Sequence, residues 1–359
     1  MKSLTVIAVT LCTLSGCQLI SGKSVLKSSS KDAEAKALAD TIALGLSYPY
    51  EREAGSYLFV NGVPYLYEHI GTDPLTDGTL KVDGKTVQVD SFLKELSQKN
   101  KTPLPDGMDK RTPIIAYGSN AAVSALKRKF MTEKFARGWS VIPVLKGNLK
   151  DFEIVHAAHF VPVNGSFPAG IAYQSGAESE VWMTYLDVQE MERMHASEGI
   201  DKDSPESWYS YGKLDNIKIQ IPGWRQLTSA FVYVDNYGSV LVNNKRAPLS
   251  KVPGNTVSPQ VSMEQALESV ESVFKKVEIS AETAATCASW KGLERRLCEN
   301  IADPCLRDER TDALAAEKRI EKWVLPENGG PRYERLAGAE KAGHPKAFPD
   351  SMRCAKAGN

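Results

Sequence analysis

The sequence predicts an α+β fold: a small mixed or antiparallel sheet with helices packed around it, followed by a mostly helical C-terminal extension. Three observations predict it. Over residues 110–244, short apolar runs rich in β-branched residues alternate with two stretches of helical periodicity. Ahead of that block, Asn61-Gly62 and Asp83-Gly84 separate strand-like runs, the second pair reading as a hairpin. Beyond the block, Met263, Leu267, Val270, Phe274 and Val277 recur at helical spacing.

The elements follow in order. Ala35, Leu38, Ala39 and Ile42 mark a helix over residues 32–44, with Gly45 as its stop. Strands are expected at 57–60, 65–70, 80–82 and 87–89, then a short helix at 91–98 and a breaker-rich boundary, Pro103-Leu104-Pro105-Asp106-Gly107. The central block carries strand signals at 113–117, 141–145, 152–156, 169–173, 181–186, 218–221 and 230–234, with helices at 121–130 and 188–197. No internal repeat is evident.

The chain has 359 residues, 42% of them hydrophobic, and 44 basic against 44 acidic residues. That balance argues against a nucleic-acid partner held through phosphates. Residues 1–17 have the layout of an exported signal: Lys2, an apolar run too short to span a bilayer, then Leu14-Ser15-Gly16-Cys17. Those last four residues resemble the lipobox of bacterial lipoproteins, which implies cleavage before Cys17 and its lipidation. If the source is Gram-negative, Gln18 after it implies, for such lipoproteins, sorting to the outer membrane, facing the periplasm. The expected division is a signal at 1–16, a polar tether at 17–31, an N-terminal α/β segment at 32–108, a central domain at 109–245 and a disulfide-stapled extension at 246–359.

With Cys12 removed and Cys17 lipidated, Cys287, Cys298, Cys305 and Cys354 remain, an even number that reads as two disulfides in an oxidising compartment. Their spacing matches no zinc site. If one helix spans residues 287–298, its two cysteines lie roughly 16 Å apart and cannot bond. Of the three possible connectivities the preferred one joins Cys298 to Cys305 across the turn at Asp303-Pro304, and Cys287 to Cys354; the alternative is free structural thiols.

Two segments carry chemistry. Ile114-Ile115-Ala116-Tyr117-Gly118-Ser119-Asn120 reads as an apolar strand, a glycine turn and a helix start. Such a turn aims backbone N–H groups outward, which suits an anion or oxyanion, although Ser119 or Asn120 could equally be a plain helix cap. In the second segment, Asp187 and Glu190 form a capping-box pattern that starts a helix near Val188. Projected at about 100° per residue, Met191, Met194 and Glu198 share its apolar stripe, whereas Glu190 and Arg193 point away. Glu198 also sits at the helix end where the macrodipole disfavours an acid. An acid that breaks two local rules marks either a functional group or a buried ion pair.

Tyr117-Gly118-Ser119-Asn120, then Phe167-Pro168-Ala169-Gly170-Ile171-Ala172, Glu180-Val181-Trp182, Leu186-Asp187 and Ser197-Glu198-Gly199, with Tyr209 and Tyr211 downstream, resemble the γ-glutamylcyclotransferase-like family. The resemblance covers roughly residues 112–236. It implies a barrel-like sheet and the release of 5-oxoproline from γ-glutamyl amines or peptides, with no cofactor. By resemblance Glu198 is the general acid/base, the backbone of Gly118, Ser119 and Asn120 with Tyr117 nearby binds substrate, and Tyr211 helps close the pocket. The family often has leucine after the asparagine, where this chain has Ala121. Long segments flank the matching block. Export points to an envelope γ-glutamyl compound as substrate. The alternative is a non-catalytic envelope lipoprotein that uses the fold to bind a ligand or dock a protein, with the extension as its partner surface.

Other signals are weaker. Ser124-Ala125-Leu126-Lys127 matches S-x-x-K without its companion motifs and reads as a solvated helix face. His156 and His159 fall on opposite strand faces with no third ligand, so no metal is expected and both read as ordinary pocket or surface residues. Asn164-Gly165-Ser166 reads as a turn.

Overall fold

The computed structural model describes residues 22–132, 139–200 and 208–338. The signal, Cys17 and Cys354 lie outside the described residues. The chain divides into Met1–Asp40 and a compact unit, Thr41–Asn359.

Helix α1 (Gly22–Ser47) begins inside the segment expected to be a tether and runs past Gly45. Gly45 is therefore part of the last helical turn and not a stop. A Cβ at residue 45 would come within 2.5 Å of the Asn164 carbonyl oxygen, so close packing requires the glycine. Next come β1 (Tyr57–Val60) and β2 (Val63–His69), joined at Asn61-Gly62, then β3 (Thr79–Val82) and β4 (Lys85–Gln88), joined at Asp83-Gly84. All four turn residues have positive φ, as two-residue hairpin turns require. Helix α2 (Val89–Asn100) follows.

The central block is a closed sheet. Its elements are β5 (Thr112–Ala116), α3 (Val123–Phe130), β6 (Val141–His156), β7 (Ala169–Leu186), α4 (Val188–Ser197), β8 (Tyr209–Gln220) and β9 (Gln226–Asp235). The strand order is β7-β5-β9-β8-β6, and β6 pairs back onto β7 to complete a barrel. β5 and β9 are parallel; the other pairs are antiparallel. The sequence shows β6 and β7 each as two short apolar runs, because their middles are polar. Those middles remain paired, with Lys146 bound to Glu180 at 2.9 Å and Lys150 to Glu178 across the strands.

The barrel has a narrow seam. β6 and β8 pair only at Asn148 with Gln220 and Leu149 with Ile219. Past that point the strands diverge, and β1 takes the freed edge of β6 at residues 141–144. The freed edge of β8 is taken by a strand from the far C-terminus.

Beyond β9 the chain contains β10 (Ser239–Val242) and β11 (Lys245–Arg246), and the extension that follows contains β12 (Gly254–Asn255), helices α5 (Met263–Ser269), α6 (Glu271–Phe274), α7 (Ala281–Thr286), α8 (Gly292–Ala302) and α9 (Pro304–Ala316), then β13 (Ile320–Glu321) and β14 (Arg332–Gly338). β14, which sequence pattern missed, pairs with β8 over residues 210–215. The extension is thus not purely helical.

Its cysteines correct the expected pairing. Cys287 is bonded to Cys298, with Cα atoms 5.8 Å apart. The assumed continuous helix does not exist, since α7 stops at Thr286 and the chain turns back before Gly292, whose φ is +51°. Cys305 is also disulfide-bonded, which excludes Cys298 as its partner.

Strand alternation sorts the core. Ile115, Met183, Val232 and Leu145 pack with Phe152 and Ile219 in the core enclosed by the barrel. Ile114, Ala116, Trp182 and Tyr233 instead face the helices and meet Leu126, Phe130, Met191 and Met194. His156, at the end of β6, is buried; its Nε2 lies 3.0 Å from the Val261 carbonyl, and among the described residues its Nδ1 meets no partner. Burial pushes its pKa down from 6.5 to about 4.

Two stability predictions follow from these features. Closing the 11-residue separation constrains the unfolded chain, so replacing Cys287 and Cys298 with alanine should cost about 3 kcal/mol in denaturant titrations. His156 folds neutral, and the unfolded chain takes up its proton below pH 6.5. Stability should therefore be full above pH 6.5 and fall by about 3 kcal/mol as pH drops towards 4. His156→Gln should flatten that part of the profile; an unchanged slope would assign it to other groups.

Candidate functional site

β5 delivers the chain to the site. Tyr117 follows it on the enclosed face and donates its hydroxyl to the Tyr233 carbonyl, locking the end of β5 to β9. The chain then turns at Gly118 into a 3₁₀ turn, Ser119–Ala121. A Cβ on Gly118 would lie 2.9 Å from the Tyr48 hydroxyl and 3.3 Å from the Ala169 Cβ, so the close approach needs glycine. Among the described residues the N–H groups of Ser119 and Asn120 meet no acceptor, as expected for the first residues of a helical turn.

Helix α4 approaches from the other side and is pinned at its N-terminus. Asp187 accepts from the Glu190 N–H, and Glu190 accepts from the Asp187 N–H, completing the expected capping box. The projection of Glu190 away from the core is wrong. Glu190 is fully buried and also accepts from Arg111 Nη1 at 3.0 Å, Ser140 Oγ at 2.9 Å and the Val141 N–H at 3.2 Å. A wheel built on apolar spacing cannot see an acid whose partners come from other strands.

At the opposite end the Glu198 N–H bonds back to the Met194 carbonyl, and the Ile200 N–H to the His195 carbonyl across Gly199, whose φ is +68°. Glu198 thereby caps the helix with its carboxylate 13% exposed. It accepts from Asn120 Nδ2 at 3.1 Å and is ion-paired with Lys129, whose ammonium also lies against Met194 Sδ. Lys129 supplies the positive charge that a carboxylate at a helix C-terminus lacks. Among the described residues the buried Asn120 Oδ1 meets no hydrogen-bond partner.

These groups line one cavity of about 40 Å³, formed by Tyr117, Gly118, Ser119, Asn120 and Glu198 together with Tyr48, Ala169, Tyr209 and Tyr233. Burial pushes the phenols of Tyr117, Tyr209 and Tyr233 well above their usual pKa, so they are neutral. The site thus places one carboxylate against backbone and side-chain donors inside a neutral aromatic wall.

Of the residues expected to act on or bind substrate, Glu198, Tyr117, Gly118, Ser119 and Asn120 meet at the cavity and Tyr211 does not. Tyr211 stacks on Phe231 and meets His195 edge-on at 4.5 Å, a layer away from the cavity, and Tyr209 and Tyr233 line the cavity in its place. Tyr48 and Lys129 were missed. Tyr48 left no signal, being 69 positions before Tyr117 in the sequence. Lys129 left one: it follows Leu126 by three residues and so interrupts an apolar helix face. Ser124 and Lys127 are exposed on α3, as expected. His156 and His159 are neither pocket nor surface residues. Both are buried, with His159 Nδ1 2.9 Å from Asp235 Oδ2. Asn164-Gly165-Ser166 does form a turn, closed by the Val161 N–H on the Ser166 carbonyl.

No protein-family model and no curated protein matches the chain. Among solved structures the chain is similar to a gamma-glutamyl cyclotransferase, at 12% identity and a TM-score of 0.28, over 45% of this chain and 79% of that one. It is similar to the uncharacterized protein loc79017 from Homo sapiens at 14% identity and a TM-score of 0.28, over 45% of this chain and 80% of that one.

Glu190 and Glu198, at the two ends of α4, should respond differently to neutralisation. Glu190→Gln removes the nearer of the two buried carboxylates beside Arg111, leaving Asp187 at 4.0 Å, and should cost about 3 kcal/mol in chemical denaturation. Glu198→Gln, at a partly solvated pair, should cost under about 1 kcal/mol.

Proposed function

We propose that the cavity binds the γ-glutamyl group of an amine or peptide and releases it as 5-oxoproline, with Glu198 as general acid and base. The observation that supports this reading is the meeting of the Glu198 carboxylate with the Gly118–Asn120 turn across one small cavity. The α-amino nitrogen attacks the γ-carbonyl carbon, the new C–N bond closes the ring, and the old C–N bond breaks to release the amine. Ring closure is intramolecular, so holding the substrate curled supplies much of the rate. Glu198 takes the proton lost by the α-ammonium and returns one to the leaving nitrogen. The turn's N–H groups hold the glutamyl carboxylate or the tetrahedral oxyanion.

Lys129 fits this scheme as the cation that occupies Glu198 until a substrate ammonium replaces it. At about 40 Å³ the unliganded cavity is far below the roughly 300 Å³ of small-molecule sites, so substrate entry requires its side chains to move apart. In the same reading the protein works in the cell envelope, anchored through lipidated Cys17 and facing the periplasm. The Cys287–Cys298 disulfide supports an oxidising compartment. A second reading, a binding or docking module without turnover, is favoured by the Lys129–Glu198 ion pair and the narrow cavity.

Incubation with a panel of γ-glutamyl amides and peptides, followed by assay of 5-oxoproline, separates the two. Wild type should form 5-oxoproline and Glu198→Gln should form at least about 100-fold less. No product from wild type, or equal product from the variant, would leave only the module.

A further inference from the structure

The segment immediately after α1 reaches into the cavity although it lies outside the part of the sequence that carries the family resemblance. Tyr48 is 7% exposed and lines the cavity together with Glu198. Its hydroxyl oxygen accepts a hydrogen bond from the Ala169 N–H at 2.6 Å. A phenol that accepts one bond still has its own proton to give. Among the described residues no acceptor meets that proton. Of the cavity's other phenols, Tyr117 donates to the Tyr233 carbonyl and Tyr233 pairs with His195 Nδ1 at 3.0 Å. The Tyr48 proton is therefore available to a ligand beside Gly118.

The segment is held firmly. Tyr50 adopts a left-handed backbone, φ +75°, unusual for a bulky residue. Its hydroxyl accepts from Asn164 Nδ2 at 3.1 Å, the Arg128 guanidinium lies 4.8 Å over its ring, and its ring meets that of Tyr48 edge-on. Two residues on, Arg52 Nη2 donates to the carbonyls of Tyr117 at 2.8 Å and Gly118 at 3.4 Å. The segment thus grips the turn it faces. Burial keeps the Tyr48 phenol protonated, so it is a donor that adds no negative charge next to Glu198.

We propose that Tyr48 contacts the substrate, donating its hydroxyl proton in a hydrogen bond to an anionic glutamyl oxygen lodged against the Gly118–Asn120 turn. This rests on the γ-glutamyl reading of the cavity and adds to it a binding residue from the N-terminal segment.

The test uses the full chain, a γ-glutamyl anilide as substrate and 5-oxoproline as a calorimetric binding probe. Tyr48→Phe keeps the ring and should lower kcat/KM at least 10-fold and weaken 5-oxoproline binding at least fivefold. A fall in kcat places the bond on the oxyanion, and a rise in KM places it on the carboxylate. Tyr67→Phe removes a buried hydroxyl that donates to the Pro74 carbonyl, away from the cavity, and should change neither. Equal losses in both variants, or a change under twofold in Tyr48→Phe, would overturn the proposal. If Tyr48→Phe does not fold, 3-fluorotyrosine at position 48 should show a ¹⁹F shift that saturates with 5-oxoproline, and an unmoved resonance counts against it. Wild type that binds without turnover refutes the cyclotransferase reading alone. Wild type that neither binds nor turns over refutes both.

Discussion

The carboxylate of Glu190 holds the site's scaffold together. Its two oxygens receive the Asp187 N–H at the start of α4, Arg111 just ahead of β5, and Ser140 and Val141 at the start of β6. Three chain segments far apart in sequence thus meet on one side chain. A buried carboxylate is tolerable only when its lone pairs are filled, and here each filling group belongs to a different structural commitment. Arg111 reaches further, to the carbonyls of Tyr185 and Asp106, so the same charge pair also closes the end of β7.

Everything at the other end of α4 follows from that anchorage. With the first turn fixed, the length of the helix decides where Glu198 falls, and the Gly199 turn ends the helix there. The two ends of one helix therefore hold acids in opposite circumstances. Glu190 is saturated with partners and sealed from water. Glu198 keeps one foot in solvent, shares an oxygen between a lysine and an amide, and borders an open space. Proton traffic needs the second arrangement, because a carboxylate with every lone pair committed has nothing left to exchange.

Legibility in the sequence divided along the range of the forces involved. The hairpin announced by Asp83-Gly84, the strand break at Asn61-Gly62, the capping box of α4 and the turn at Gly118 are local, and local residues encode them. The central strands were readable where their faces are apolar. They were lost at Lys146, Lys150, Glu178 and Glu180, where cross-strand ion pairs take the place of hydrophobic burial. The pattern that placed Glu198 on the apolar face was right about its neighbourhood and silent about Lys129. The same pattern misplaced Glu190, because periodicity assumes that charge seeks water. β14 is short of apolar residues and gains its place through β8, so no window of sequence contains its reason to be a strand. The disulfide was misjudged for a related cause: the assumed single helix stops at Thr286, and a turn over residues 287–291 brings the start of the next helix back beside it.

The divergence of β6 from β8 bears on what counts as the minimal unit of this protein. Taken alone, the central block would leave two rows of backbone amides and carbonyls exposed where the strands part company, each a template for another chain. β1, from before the block, and β14, from near the opposite end of the chain, cover those rows. The flanking segments are therefore less appendages than edge protection. A truncation that kept only the central block would therefore expose both edges at once and invite aggregation.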